Sequence, residues 1–161
     1  MLYKNPNLKW LILAILVIAL DQLSKYLISF FMIPEETIQV LPFFSLFYIF
    51  NTGAAFSFLE HASGWQEWFF GGLAIIVSLA ILNWLIKAPP MKRALTKFSL
   101  MLIMGGAIGN LIDRTVFGYV RDFLYLYWHD FHWPSFNIAD SAICVGAILL
   151  IVELLRRDCK K

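Results

Sequence analysis

The chain has 161 residues, 60% of them hydrophobic and only 15% charged, with a formal net charge of +2 at pH 7. Soluble domains carry about 25% charged residues, so this composition, with a mean hydropathy of +0.72, excludes an ordinary soluble domain and points to a bilayer. The length suits one compact domain, and the basic residues lie beside apolar runs instead of forming a patch, which argues against nucleic acid.

Four apolar segments approach the ~20 residues that a span needs, at about 10–33, 65–86, 95–112 and 138–155. Lys4 and Lys9 before an apolar core resemble the start of a cleaved signal peptide. The first segment nevertheless runs past Lys25 without an Ala-x-Ala-like site, so a retained span is expected. Ten of the thirteen Lys and Arg residues fall on one side of this scheme: Lys4, Lys9, Lys87, Lys92, Arg93, Lys97, Arg156, Arg157, Lys160 and Lys161. The positive-inside rule assigns that side to the cytoplasm. Both termini are then inside, and the loops at about 34–64 and 113–137 are outside.

In the first outer loop, positions 38–50 are rich in aromatic and β-branched residues, which favour strands. Pro42 marks a bend or an edge. Asn51-Thr52-Gly53 reads as a turn before a short strand at 54–59, and 118–126 is a further strand candidate that could join them. A small apolar sheet on the outer bilayer surface is expected. Positions 125–133 hold Tyr, Trp, Phe and two His, the composition of an interfacial belt.

The polar residues within these apolar segments carry the functional information. In the first span Asp21 and Lys25, at i and i+4, share a helical face; they read either as a buried pair that fixes helix packing or as support for a site nearer the outer surface. In the third, Gly105 and Gly109 form a small-xxx-small face for close helix approach, while Gly106, Asn110 and Asp113 line a neighbouring stripe. Asp113 and Arg114 read as an interfacial pair or as part of a polar pocket, with the planar guanidinium able to clamp a carbonyl or orient a carboxylate. Asn51 fits a tight turn. Asn137 and Asp140 resemble a capping box, although the acid three residues into such boxes is usually Glu.

Cys144 and Cys159 would lie ~22 Å apart along a helix at 1.5 Å per residue, too far to bridge. His129 and His132 have no third ligand nearby, and no Cys/His spacing of a zinc site is present. Chemistry is therefore expected from carboxylates, amides and arginine, with no metal and no cofactor. Asp140 opens the last span, where a charge is costly unless used, and Asp122 lies eighteen residues upstream on the same outer side. Two acids a few ångströms apart share a proton, so one can activate a water while the other protonates the carbonyl under attack. The polar residues gather at one end of the bundle, whereas an ion pathway would spread them through the membrane. A small ion- or proton-coupled transporter and a non-catalytic lipopeptide-binding chaperone are the alternatives.

Five blocks carry a family resemblance: Asp21-Gln22-Leu23-Ser24-Lys25, Asn51-Thr52-Gly53-Ala54-Ala55-Phe56-Ser57, positions 105–114, Val120-Arg121-Asp122-Phe123 and Phe136-Asn137-Ile138-Ala139-Asp140-Ser141. In order and extent they resemble the bacterial type II (lipoprotein) signal peptidases. The resemblance implies a mainly α integral membrane protein with four transmembrane helices, an outer antiparallel β-cradle and a short outer helix. It implies an aspartic endopeptidase of the inner membrane that cleaves prolipoproteins before a diacylglyceryl-modified cysteine. Asp122 and Asp140 match the catalytic dyad. Asn51, Gly53, Asn110, Arg114 and Asn137 match the pocket, with Asp21, Lys25 and Asp113 in support. A monomer in contact with membrane lipids, inhibited by the cyclic peptide globomycin, is expected on the same ground.

Overall fold

The structure is a computed structural model that describes residues 5–52, 65–88 and 94–158. Four long helices, α1 (Leu11–Phe31), α2 (Trp65–Lys87), α3 (Ala94–Phe117) and α4 (Ile138–Asp158), are joined at one end by a small sheet. All four are long and apolar enough to cross a membrane. At 1.5 Å per residue the 21 residues of α1 extend ~31 Å, the thickness of a hydrocarbon core.

The bundle inverts the pattern of a soluble one. On α1 the residues facing its neighbours include Ala14, Val17, Asp21 and Lys25, whereas Ile12, Ile15, Leu16, Leu20, Leu23 and Leu27 are exposed. Lipid is as good a solvent as a protein core for leucine, so small and polar residues are the ones that gain from meeting each other. The central helix α3 carries this furthest. Its span has the lowest mean hydropathy of the four, 1.5, and is half buried, against 11–22% for the others. A helix shielded from lipid by α1, α2 and α4 is the one that can carry Asn110 and Asp113.

Close approach to α3 depends on its glycines. A methyl group at Gly105 would meet Val17 Cβ at 2.8 Å and the Ala14 carbonyl at 2.9 Å on α1. One at Gly106 would overlap the Ala139 carbonyl of α4. At the end away from the sheet the Asn7 side chain donates to the carbonyls of Leu85 (3.0 Å) and Ala88 (2.7 Å) and accepts from Lys97 Nζ (2.7 Å). The last carbonyls of α2, which lack helical donors, are thus satisfied by the N-terminal segment.

The sheet is antiparallel in the order β1 (Thr37–Leu41), β2 (Phe44–Asn51), β3 (Val120–Trp128) and β4 (Phe131–His132). The bend expected at Pro42 is the β1–β2 turn, with Leu41 paired to Phe44. The strand predicted at 118–126 is β3, which joins β2 and pairs Phe50 with Arg121 and Ile49 with Asp122. The Tyr48 hydroxyl lies 3.0 Å from the Ser29 hydroxyl and ties β2 to α1. Gly53 and the strand expected at 54–59 lie outside the described residues. The short helix expected beside the sheet is absent among the described residues 32–52 and 118–137.

One boundary differs from expectation. The third span continues as helix to Phe117, so Asp113 and Arg114 are helical residues, not the start of a loop. The apolar run stops at Asp113, but the hydrogen-bonded helix does not. It ends at Gly118, whose φ of 78° and N–H bond to the Arg114 carbonyl (3.1 Å) form a left-handed cap.

Candidate active site

Asp122 and Asp140 reach one place from different elements. Asp122 projects from β3, where all of Val120, Arg121, Asp122 and Phe123 are buried between the sheet and the helix ends. Successive side chains of a strand alternate, so Arg121 and Asp122 point to opposite sides. Asp140 lies in the first turn of α4.

Asn137 connects the two carboxylates. Its side-chain amide donates to Asp122 Oδ1 (2.6 Å) and to Asn110 Oδ1 (3.1 Å). Its Oδ1 accepts from the Asp140 backbone N–H (2.9 Å), and its own backbone N–H donates to Asp140 Oδ2 (3.2 Å). This reciprocal pair is the capping box anticipated in the sequence. The same acid that completes the cap also accepts a hydrogen bond from Asn110. Asn110 Nδ2 holds the other Asp140 oxygen at 2.7 Å, and Asn51 Nδ2 holds Asp122 Oδ2 at 2.8 Å. Three asparagines therefore hold the two acids.

Burial, and then the neighbouring Asp140 charge, push the Asp122 carboxyl up to about 7, against the lowering effect of the Asn51 and Asn137 hydrogen bonds and of Lys25. A pair in which one acid keeps its proton near neutral pH is what acid–base hydrolysis asks for.

Beneath the pair lies a buried ionic network. Lys25 Nζ sits 2.8 Å from Asp21, 2.9 Å from Asn110 Oδ1 and 3.5 Å from Asp113. Asp21 also accepts from the Ala139 backbone N–H (2.9 Å), one of the free donors at the start of α4, where a carboxylate is favoured. The Asp21–Lys25 pair packs α1 against α3 and α4, and it sits one hydrogen bond from an amide that touches Asp140.

The pairing expected between Asp113 and Arg114 is not what forms. Asp113 is taken by Arg121, with Nη2 2.8 Å from Oδ1 and Nε 3.1 Å from Oδ2. Arg114, on the next face of the helix, lies over the Phe70 ring (5.5 Å). It borders a groove of about 320 Å³ between α2, α3 and α4 that reaches Asn110 and Asp140. Burial pulls Arg121 down, but the hydrogen bonds and charge of Asp113 outweigh it and hold the guanidinium above its ordinary value.

Two participants were not selected from the sequence. Gln22 Nε2 lies 3.1 Å from Asp21 and from Asp113 and 3.0 Å from the Gly109 carbonyl. Its place on the face of Lys25, three residues earlier, was the available signal. Arg121 was visible as a charge, and strand alternation beside Asp122 would have aimed it at α3. His132 Nδ1 pairs with the Tyr125 hydroxyl (2.8 Å), and among the described residues no group of three His, Cys, Asp or Glu side chains is placed to hold a metal.

A family model described as Signal peptidase (SPase) II matches residues 13–156. The chain belongs to the signal peptidase II family. The lipoprotein signal peptidase of Alteromonas mediterranea is 49% identical over 99% of this chain and 87% of its own length. That of Cupriavidus necator is 51% identical over 93% and 85%. A solved bacterial membrane enzyme, 33% identical, superposes with a TM-score of 0.85 over 95% of this chain and 91% of its own. A signal peptidase II is a peptidase, so this chain is an enzyme, and membership decides against the transporter and chaperone alternatives. With its four apolar helices it is a multi-pass membrane protein.

Proposed function

We propose that Asp122 and Asp140 are the catalytic pair of a prolipoprotein signal peptidase, and that the scissile bond lies just before a diacylglyceryl-modified cysteine. The relatives are named as lipoprotein signal peptidases, and the geometry suits the chemistry. The observation that carries the reading is that a single residue, Asn137, hydrogen-bonds both acids. A water between two such carboxylates gives a proton to the ionised one as its oxygen attacks the carbonyl carbon. The protonated acid delivers its proton to the carbonyl oxygen, which yields a tetrahedral diol. Collapse breaks the C–N bond, and the proton returns to the departing amine. Asn51, Asn110 and Asn137 hold the acids throughout, while Arg114 and the groove beside it receive the substrate.

The charge distribution supports an extracytoplasmic site in the inner membrane, because most Lys and Arg lie at the other end of the helices. The signal helix and lipid chains of the substrate would stay in the bilayer and bring the bond to the outer headgroups. The enzyme works as a monomer among membrane lipids, and globomycin competes for the groove. Asp122→Asn and Asp140→Asn, each reconstituted and offered a diacylglyceryl-cysteine peptide, lose turnover while still inserting. Normal cleavage by either variant overturns the assignment.

A further inference from the structure

Arg121 makes more of Asp113 than an ion pair requires. Besides the two guanidinium bonds, its own backbone N–H donates to Asp113 Oδ2 at 3.0 Å. The Val120–Arg121 peptide, one removed from Asp122, is therefore bonded to α3, and the guanidinium lies over the Phe117 ring at 4.5 Å. The effect also reaches Lys25. With both Asp113 oxygens engaged, Lys25 stands 3.5 Å from that acid but 2.9 Å from Asn110 Oδ1. Asn110 in turn presents its N–H to Asp140.

We propose that Arg121 is a positioning residue for the Asp122–Asp140 pair: it fixes the register of β3 under Asp122, and by occupying Asp113 it leaves Lys25 on Asn110, whose amide holds Asp140. The inference rests on the catalytic assignment above. Without Arg121, Asp113 is a fully buried carboxylate with Gln22 and Lys25 as its side-chain donors. A buried charge without a cation is strongly unfavourable, so Lys25 moves toward Asp113 and away from Asn110. The Asn110 oxygen keeps only Asn137, its amide is free to turn, and Asp140 loses a donor. Lysine at 121 would keep the charge but not the two-pronged geometry.

The test uses the full-length enzyme in vesicles with a diacylglyceryl-cysteine peptide. Arg121→Gln is expected to lower kcat on the order of 100-fold, the scale of a ~1 Å misplacement, with KM unchanged. Its pH profile shifts upward, because Lys25, the cation facing both acids, has moved away. Arg121→Lys restores the pH profile and part of kcat. The double variant Asp113→Asn/Arg121→Gln recovers part of the kcat lost in Arg121→Gln, since a neutral residue 113 no longer draws Lys25. Wild-type kcat and pH profile in Arg121→Gln overturn the proposal, as does a double variant worse than the single, the pattern of simple packing loss. If Arg121→Gln fails to insert, the double variant and Arg121→Lys decide by the same criteria. Asp122→Asn runs alongside: normal turnover there sinks the catalytic assignment, whereas an inactive Asp122→Asn beside a normal Arg121→Gln sinks only the role of Arg121.

Discussion

Replacing Asp122 by asparagine should change stability in a way that depends on pH. The folded protein holds this carboxyl at about 7 against an ordinary 3.8, so folding opposes its ionisation. The folded state binds the proton more tightly than the unfolded state, and stability falls as pH rises between those two values. At ~1.36 kcal/mol per pH unit, the cost is about 4 kcal/mol above pH 7 and about 2 kcal/mol at pH 5, where only the unfolded chain is largely ionised. Asparagine removes this cost at every pH. It also turns an N–H₂ toward Asn51 or Asn137, both of which donate to Asp122, and losing one such bond costs about 1–3 kcal/mol. The variant should therefore lie near or below wild type at pH 5 and above it by about 1–3 kcal/mol at pH 8. Unfolding of both proteins in mild detergent at the two pH values measures this. A difference between them that does not move with pH would refute the reasoning.

Other perturbations have equally definite outcomes. Gly106→Ala places a methyl group on the Ala139 carbonyl, and the displacement of α4 should cost about 1–3 kcal/mol and most of the activity, read by thermal unfolding and peptide cleavage. Lys25→Met leaves Asp21 and its neighbours short of a buried cation, a loss of about 3–5 kcal/mol; Asp21→Asn in the same chain should restore part of the folded yield. Asn137→Ala removes the cap and the bridge between the acids together. About 1–2 kcal/mol of helix stability should go with it, along with cleavage, as followed by circular dichroism and turnover.

The spans were legible because hydropathy is a local property, and so was the Pro42 bend. The end of α3 was not, because Asp113 and Arg114 look like the start of a loop until the partners that let a charge stay on a buried helix are known. Asp122, Asp140 and the three asparagines could be selected from the sequence because each is a polar residue at the edge of an apolar run. The partner of Asp113 could not. Arg114 is adjacent in sequence, yet Arg121 reaches the carboxylate because the chain turns at Gly118 and returns along α3 as β3. Gln22 was harder still, since an uncharged amide among leucines gives little signal until its neighbours are placed around it.

The reciprocal bonds between Asn137 and Asp140 make the first turn of α4 and the proposed catalytic pair a single object. Helix ends are ordinarily the first part of a structure to loosen, and here any fraying carries an acid away from its partner. On warming, cleavage should therefore fade reversibly well before the bundle itself comes apart. The working temperature range of the enzyme should follow Asn137 and Asp140 at one helix tip, not the bulk of the four helices.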